Sequence, residues 1–333
     1  MKMSLKNYRK ELRDSLLDLA WVQWSALGVA GHVTRFSSYV VDVEALVLFT
    51  IFIGRYDERL FDSMQDWLQT NGRFVNTQRL KVLAKKNGFC YQRELAYVAA
   101  NQNAFENKSK WKNIADSVKI TSGDSVEPLF KDIPLLGKQL KDPLALKFGL
   151  ERNIYKYAGK NAKFDDGLAS LMLRLRGLFG VNSRVEIMLL LLSNDFCKIQ
   201  DLAKRSGYSW RSVQDILFEM TFGDIVQATA SKKNRVYSLP NKSDWLKTFG
   251  FQDDEPIRFP QWDKALFSLE LIYETLENPL LDKLSNLSVQ GAVNECFKKI
   301  GTSFLESSIR ELQTVSSNSW LEIPEMMSRI FKK

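Results

Sequence analysis

Histidine is almost missing: His32 is the single imidazole in 333 residues. One ring cannot build a His-rich metal site, and no Ser, Cys or acidic partner stands beside it to suggest a nucleophilic triad. His32 therefore reads as a structural or loop residue. Cysteine is sparse as well. Cys90, Cys197 and Cys296 lie about a hundred residues apart and form no CxxC pair, which removes zinc ribbons and fingers and suits reduced thiols in a cytosol. Long apolar runs are lacking. The longest, Ala45 to Ile53 (broken by Thr50) and Ile187 to Leu192, fall far short of the ~20 residues of a membrane-spanning helix. Met1 to Asn7 lead into a charged amphipathic stretch rather than the apolar region of a signal peptide. No GxxxxGK(S/T), GxGxxG, HExxH or GxSxG motif occurs, and Gly177-Leu178-Phe179-Gly180 is followed by no Lys-Ser/Thr. These gaps predict a soluble cytoplasmic protein that is not an enzyme, needs no cofactor and holds no metal.

What is present is a balanced globular composition, 45% hydrophobic and 26% charged. Lys and Arg total 47 against 39 for Asp and Glu, a net charge of +8 that permits a polyanionic partner without demanding one. The excess is uneven. Residues 181–247 hold ten basic and seven acidic side chains, whereas residues 251–333 hold nine basic and thirteen acidic, so the C-terminal block is the poorest candidate for touching a polyanion.

Hydrophobic spacing predicts helices over 4–27, 42–53, 57–70 and 77–86, with Asp42 and Asn76 as caps and Asn71-Gly72 and Asn87-Gly88 as stops. Val33 to Phe36 suits a short strand. Trp21, Trp24 and Trp67 fall on apolar faces and read as core. Residues 1–100 thus form an N-terminal helical domain, and residues 42–87 within it admit a second, divergent helix-turn-helix. Arg73, Gln78, Arg79, Lys81, Lys85 and Lys86 would be its basic face; a helical bundle with a solvated basic face fits the same residues. From 101 to 167, Pro128, Pro134 and Pro143 punctuate polar sequence, so this stretch reads as a connector with short structured segments. Asp165-Asp166, ahead of a helix, suits capping rather than a metal. Residues 168–249 form a third domain and 250–333 a C-terminal helical domain.

The informative stretch is Val185 to Leu239. An apolar helix (Val185 to Leu192) breaks at Ser193-Asn194-Asp195. Ile199, Leu202 and Ala203 then mark a short helix, Gly207-Tyr208-Ser209 a tight turn with a cap, and Val213, Ile216, Leu217 and Met220 the buried stripe of the helix over 209–222. Two strands follow within 225–239, at 225–229 and 235–239, joined by a polar tip, Ala230 to Asn234. Helix, helix, turn, helix and hairpin together resemble the bacterial winged helix-turn-helix transcription regulators of the ArsR or MarR kind. The Leu173 to Gly180 lead-in looks like that of some antitoxin-like regulators. The fold class expected is mainly α: a multi-domain helical protein with one winged helix-turn-helix domain and a small β-hairpin wing.

The resemblance implies a DNA-binding protein that reads double-stranded DNA with helix 209–222 and wing 225–239, most simply as a transcription regulator. Arg211 and Gln214 would meet base edges, with Trp210 beside them; Ser209 and Ser212 would meet phosphate; Lys232, Lys233 and Arg235 would follow the backbone or minor groove. Asp215, Phe218 and Glu219 share that outward face and do not suit DNA. Winged helices also serve as protein–protein modules, and a basic hairpin tip is often only solvated, so an antitoxin-like protein partner without DNA is the alternative. A homodimer is expected, because two-fold half-sites match a symmetric protein. The apolar C-terminal residues Leu266, Phe267, Leu269, Ile272, Phe304, Leu305 and Ile309 are the candidates for holding it together.

Overall fold

The computed structural model describes residues 4–30, 39–106, 109–118, 125–132, 140–159, 164, 166–229, 235–252 and 256–330. His32, the strand expected at Val33 to Phe36, Pro134, Asp165, Lys232 and Lys233 lie outside them. The described residues are mainly helical, with two small sheets. In chain order the helices are α1 (Leu5–Ala26), α2 (Val43–Ile53), α3 (Glu58–Asn71), α4 (Thr77–Lys86), α5 (Gln92–Glu106), α6 (Ser109–Ala115), α7 (Pro143–Leu146), α8 (Leu171–Phe179), α9 (Ser183–Ser193), α10 (Ile199–Ser206), α11 (Trp210–Phe222), α12 (Lys242–Thr248), α13 (Trp262–Glu277), α14 (Asn286–Ile300), α15 (Ser303–Ser307) and α16 (Ile323–Arg329). The strands are β1 (Glu127–Pro128), β2 (Leu150–Glu151), β3 (Cys197–Lys198), β4 (Gln227–Ala228) and β5 (Val236–Ser238). Among the described residues no helix is long and apolar enough to cross a membrane.

The chain divides into two compact units: Met1–Phe36, Asp42–Lys163 and Gln261–Lys333 form unit 1, and Ser37–Val41 with Phe164–Pro260 form unit 2. This replaces the four-part division read from composition. Residue 101 lies inside α5 and is no boundary. The proline-punctuated stretch closes on itself by parallel pairing of β1 with β2. It is tied to the rest of unit 1 by the Lys131 amide, which donates to the Arg55 carbonyl at 2.7 Å, and by Arg152, which is almost fully buried and reaches Asp62 at 2.7 Å. Residues 261–333 have no separate core, because α13 packs on α2 and α1.

Unit 1 is built around α2, in which every residue from Val43 to Ile53 is buried. A helix apolar all round must be enclosed by neighbours, and α1, α3, α4, α5 and α13 enclose it. Trp24 and Trp67 are fully buried with ring centroids 5.2 Å apart, and each indole N–H has an acceptor: Thr50 Oγ1 for Trp24 and the Leu27 carbonyl for Trp67. One side chain leaves the basic face expected over residues 73–86. Arg79 is buried and donates to Asp42 Oδ1 at 2.6 Å and Glu44 Oε2 at 2.7 Å. Asp42 also caps α2 by accepting from the Ala45 amide, so one guanidinium joins the start of α2 to α4.

Candidate nucleic-acid interface

In unit 2, α8 and α9 provide an apolar base with one buried ion pair. Arg176 and Glu186 are both fully buried, and Arg176 Nη2 donates to Glu186 Oε1 at 2.6 Å. The other carboxylate oxygen accepts from Tyr208 Oη at 3.2 Å. Tyr208 belongs to the turn between α10 and α11, so the buried pair anchors that turn from below. Sequence reading passed over this trio. Part of its signal was there: Glu186 is the one acidic residue of a largely apolar helix, ten positions after Arg176, and a buried charge is kept only when paired.

The turn forms as its residues dictate. Gly207 takes the left-handed conformation at φ +79°, and its amide closes α10 on the Ala203 carbonyl at 3.1 Å. A Cβ would strain that backbone. Ser209 caps α11, its Oγ accepting from the Ser212 amide at 3.1 Å. The Ser209 and Ser212 hydroxyls also lie 2.8 Å apart. Two hydroxyls sharing one hydrogen bond keep one O–H to offer outward.

Along α11 the buried stripe is Val213, Ile216, Leu217 and Met220. The outward face changes character along its length. Its first half is Ser209, Trp210, Arg211, Ser212 and Gln214, all exposed, with Trp210 at 50%. Arg211 makes no ion pair among the described residues. Asp215 is exposed at mid-helix. The second half carries Phe218 and Phe222, 71% and 85% exposed, stacked with ring centroids 6.4 Å apart. Glu219 between them is neutralised by Arg184 of α9.

After α11 the chain forms an antiparallel three-stranded sheet in the order β3-β5-β4, with Cys197 opposite Tyr237 and Tyr237 opposite Ala228. The ladder is shorter than the two strands read from sequence, covering 227–228 and 236–238. Val226, Tyr237 and Leu239 fasten it through buried side chains. β3 is an addition; two residues directly before a helix give no period to read. Arg235 is exposed at the start of β5. Arg205, another cation of the region, is committed inside unit 2, donating to the Phe259 carbonyl at 2.9 Å. α12 closes the unit: Trp245 stands 5.9 Å from Phe179 of α8, and Arg174 lies over Phe249.

Of the expected DNA-contacting residues, Ser209, Trp210, Arg211, Ser212 and Gln214 share one exposed face, and Arg235 lies on the hairpin. Among the described residues no cluster of three His, Cys, Asp or Glu side chains is arranged to hold a metal ion. No protein-family model, curated protein or solved structure matches the chain.

Proposed function

We propose that unit 2 is a winged helix-turn-helix that binds double-stranded DNA, and that the protein is a transcription regulator. The first half of α11 enters the major groove, and the β4–β5 hairpin lies along the backbone as the wing. One observation carries the reading: the first turn of α11 exposes Ser209, Arg211, Ser212 and Gln214, with Trp210 beside them, at the end held by the Gly207 turn and the Ser209 cap. Arg and Gln can read base edges there, and the free amides of a helix start favour phosphate. Asp215 stands on the same face as an unfavourable neighbour, and Glu219 is paired with Arg184. The reading includes a homodimer on two half-sites.

The test is a titration of the full chain against a site enriched from a random duplex library. Arg211→Ala should cost roughly 1–3 kcal/mol on that site and relax its sequence preference. Arg235→Ala should weaken all sequences alike and lower the salt slope by about one. Parental affinity and slope in both variants would remove the reading.

A second reading has one observation in its favour. Two stacked, largely exposed phenylalanines at four-residue spacing suit a protein partner better than a phosphate backbone. On that reading a stoichiometric protein co-purifies with the chain and no longer does so after Phe218→Ser/Phe222→Ser, while DNA affinity is absent from the start.

A further inference from the structure

From Arg73 to Arg93 the sequence has six cationic side chains, Arg73, Arg79, Lys81, Lys85, Lys86 and Arg93, and no carboxylate. Unit 1 uses two of them internally or at its edge: Arg79 on Asp42 and Glu44, and Lys86 on Asp263 at 3.1 Å. Arg73, Lys81 and Lys85 have no ion-pair partner among the described residues.

These remaining cations lie on α4 and in the turn that leads into it. In α4, Leu80, Leu83 and Ala84 face the core, which leaves Gln78, Lys81 and Lys85 together on one flank at i, i+3 and i+7. Arg73 is exposed in the turn just before the helix, with its guanidinium over the Phe74 ring. Lys110 of α6 donates to the carbonyls of Arg73 at 2.7 Å and Val75 at 3.2 Å, which holds a further ammonium at the turn that leads into α4. Lys81 and Lys85 stand one turn apart, a like-charge spacing that weakens a helix unless an anion lies across it.

We propose that this flank of α4 is a second nucleic-acid contact, on unit 1, gripping the phosphate backbone of duplex DNA without reading its sequence. Arg73, Lys81, Lys85 and Lys110 supply the charge, and Gln78 can donate to a phosphate oxygen. A lipid headgroup surface suits it less. A membrane-lying helix needs a free apolar face, and that of α4 is spent in the core, with only Val82, 45% exposed, left beside the lysines. This contact is independent of the one proposed for α11.

The experiment measures binding of the full chain to a random duplex over a salt series. Two variants are compared with the parent: Arg73→Gln/Lys81→Gln/Lys85→Gln, and Arg211→Ala/Arg235→Ala. The α4 variant should lower the slope of log K against log salt by about 0.9 for each phosphate no longer neutralised, hence by roughly two to three, and weaken binding at least about tenfold at low salt. Lys81→Arg/Lys85→Arg should keep the parental slope, which separates loss of charge from loss of fold. If only the α11 variant moves the slope, the α4 proposal is overturned and the function proposed for unit 2 stands. If only the α4 variant moves it, the α4 proposal stands and the unit 2 reading falls. A parental slope in the α4 variant, together with abolished binding to phosphatidylserine vesicles, would reassign the face to membranes and overturn the proposal.

Discussion

Glu270 is the residue at which this fold has a cost. It sits on α13 with 5% of its surface exposed, and its Oε2 has no hydrogen-bond partner among the described residues. Burial, helped by the nearby charge of Glu274, pushes its carboxyl well above the ordinary 4.5. The folded protein therefore holds this proton to higher pH than the unfolded chain does. Below 4.5 both states are protonated and nothing is lost. As pH rises above 4.5 the unfolded chain ionises first, and stability falls until the folded value is passed. Glu270→Gln should consequently raise stability at neutral pH, by about 0.5–2 kcal/mol, with the gain vanishing on acidification below the ordinary carboxylate range. Chemical denaturation of both proteins across pH checks this; a gain independent of pH would show that Glu270 is not held protonated. None of this was legible in sequence, where Glu270 looks like any acidic residue of an amphipathic helix. The same holds for Arg79: a cation in a run of cations looks solvated, and only the fold brings Asp42 and Glu44, 37 and 35 positions away, to within 3 Å.

At the scale of elements, α10 and α11 stand or fall with a narrow apolar seam. Leu202 is 1% exposed, and on α10 it shares burial only with Ser206. Leu202→Asp would bury a carboxylate with no cation assigned to it, at a cost of several kcal/mol. The expected outcome is loss of unit 2's melting transition with unit 1's retained. Unchanged melting in calorimetry would place Leu202 outside the core. This seam was readable because helix spacing, cap and stop all agree: Ile199, Leu202 and Ala203, then Gly207, then Ser209, then the stripe from Val213 to Met220. The start of α2 at Asp42 and of α4 at Asn76 was readable for the same reason, each cap being a side chain that accepts from the amide three residues on. α5 was missed. Its buried residues Leu95, Ala96, Tyr97, Val98 and Ala99 run consecutively, a pattern of enclosure on several sides rather than a stripe, which leaves periodicity little to find. That Phe218 and Phe222 follow the polar residues Arg211, Ser212 and Gln214 along α11 was visible in sequence, but their exposure was not: 71% and 85% for the two phenylalanines depends on what fails to cover them.

For the whole molecule, contiguity in sequence misled where periodicity did not. A contiguous run of helical patterning set residues 250–333 apart as a C-terminal block, yet α13 contributes Trp262, Leu266, Leu269, Ile272, Tyr273 and Leu276 to the core of unit 1, and Tyr91 Oη donates to Glu274 at 2.5 Å. Of the apolar residues expected to hold a homodimer, Leu266, Leu269, Ile272, Phe304 and Ile309 are buried within one chain, while Leu305 stays 61% exposed. Two outcomes of truncation after Pro260 then separate two roles for the C-terminal block. If the block only joined two copies, light scattering would report a lower mass and unit 1 would melt as before. If it completes unit 1, burial of its large apolar side chains, worth about 1.5–3 kcal/mol each, is lost from a unit whose whole stability is about 5–15 kcal/mol. Unit 1 should then not fold at all. The near-ultraviolet dichroism of the packed Trp24 and Trp67 should disappear, whereas unit 2, which keeps all of Phe164–Pro260, should still melt cooperatively. Retained tryptophan dichroism in the truncated chain would mean that α13 is dispensable to the core it fills.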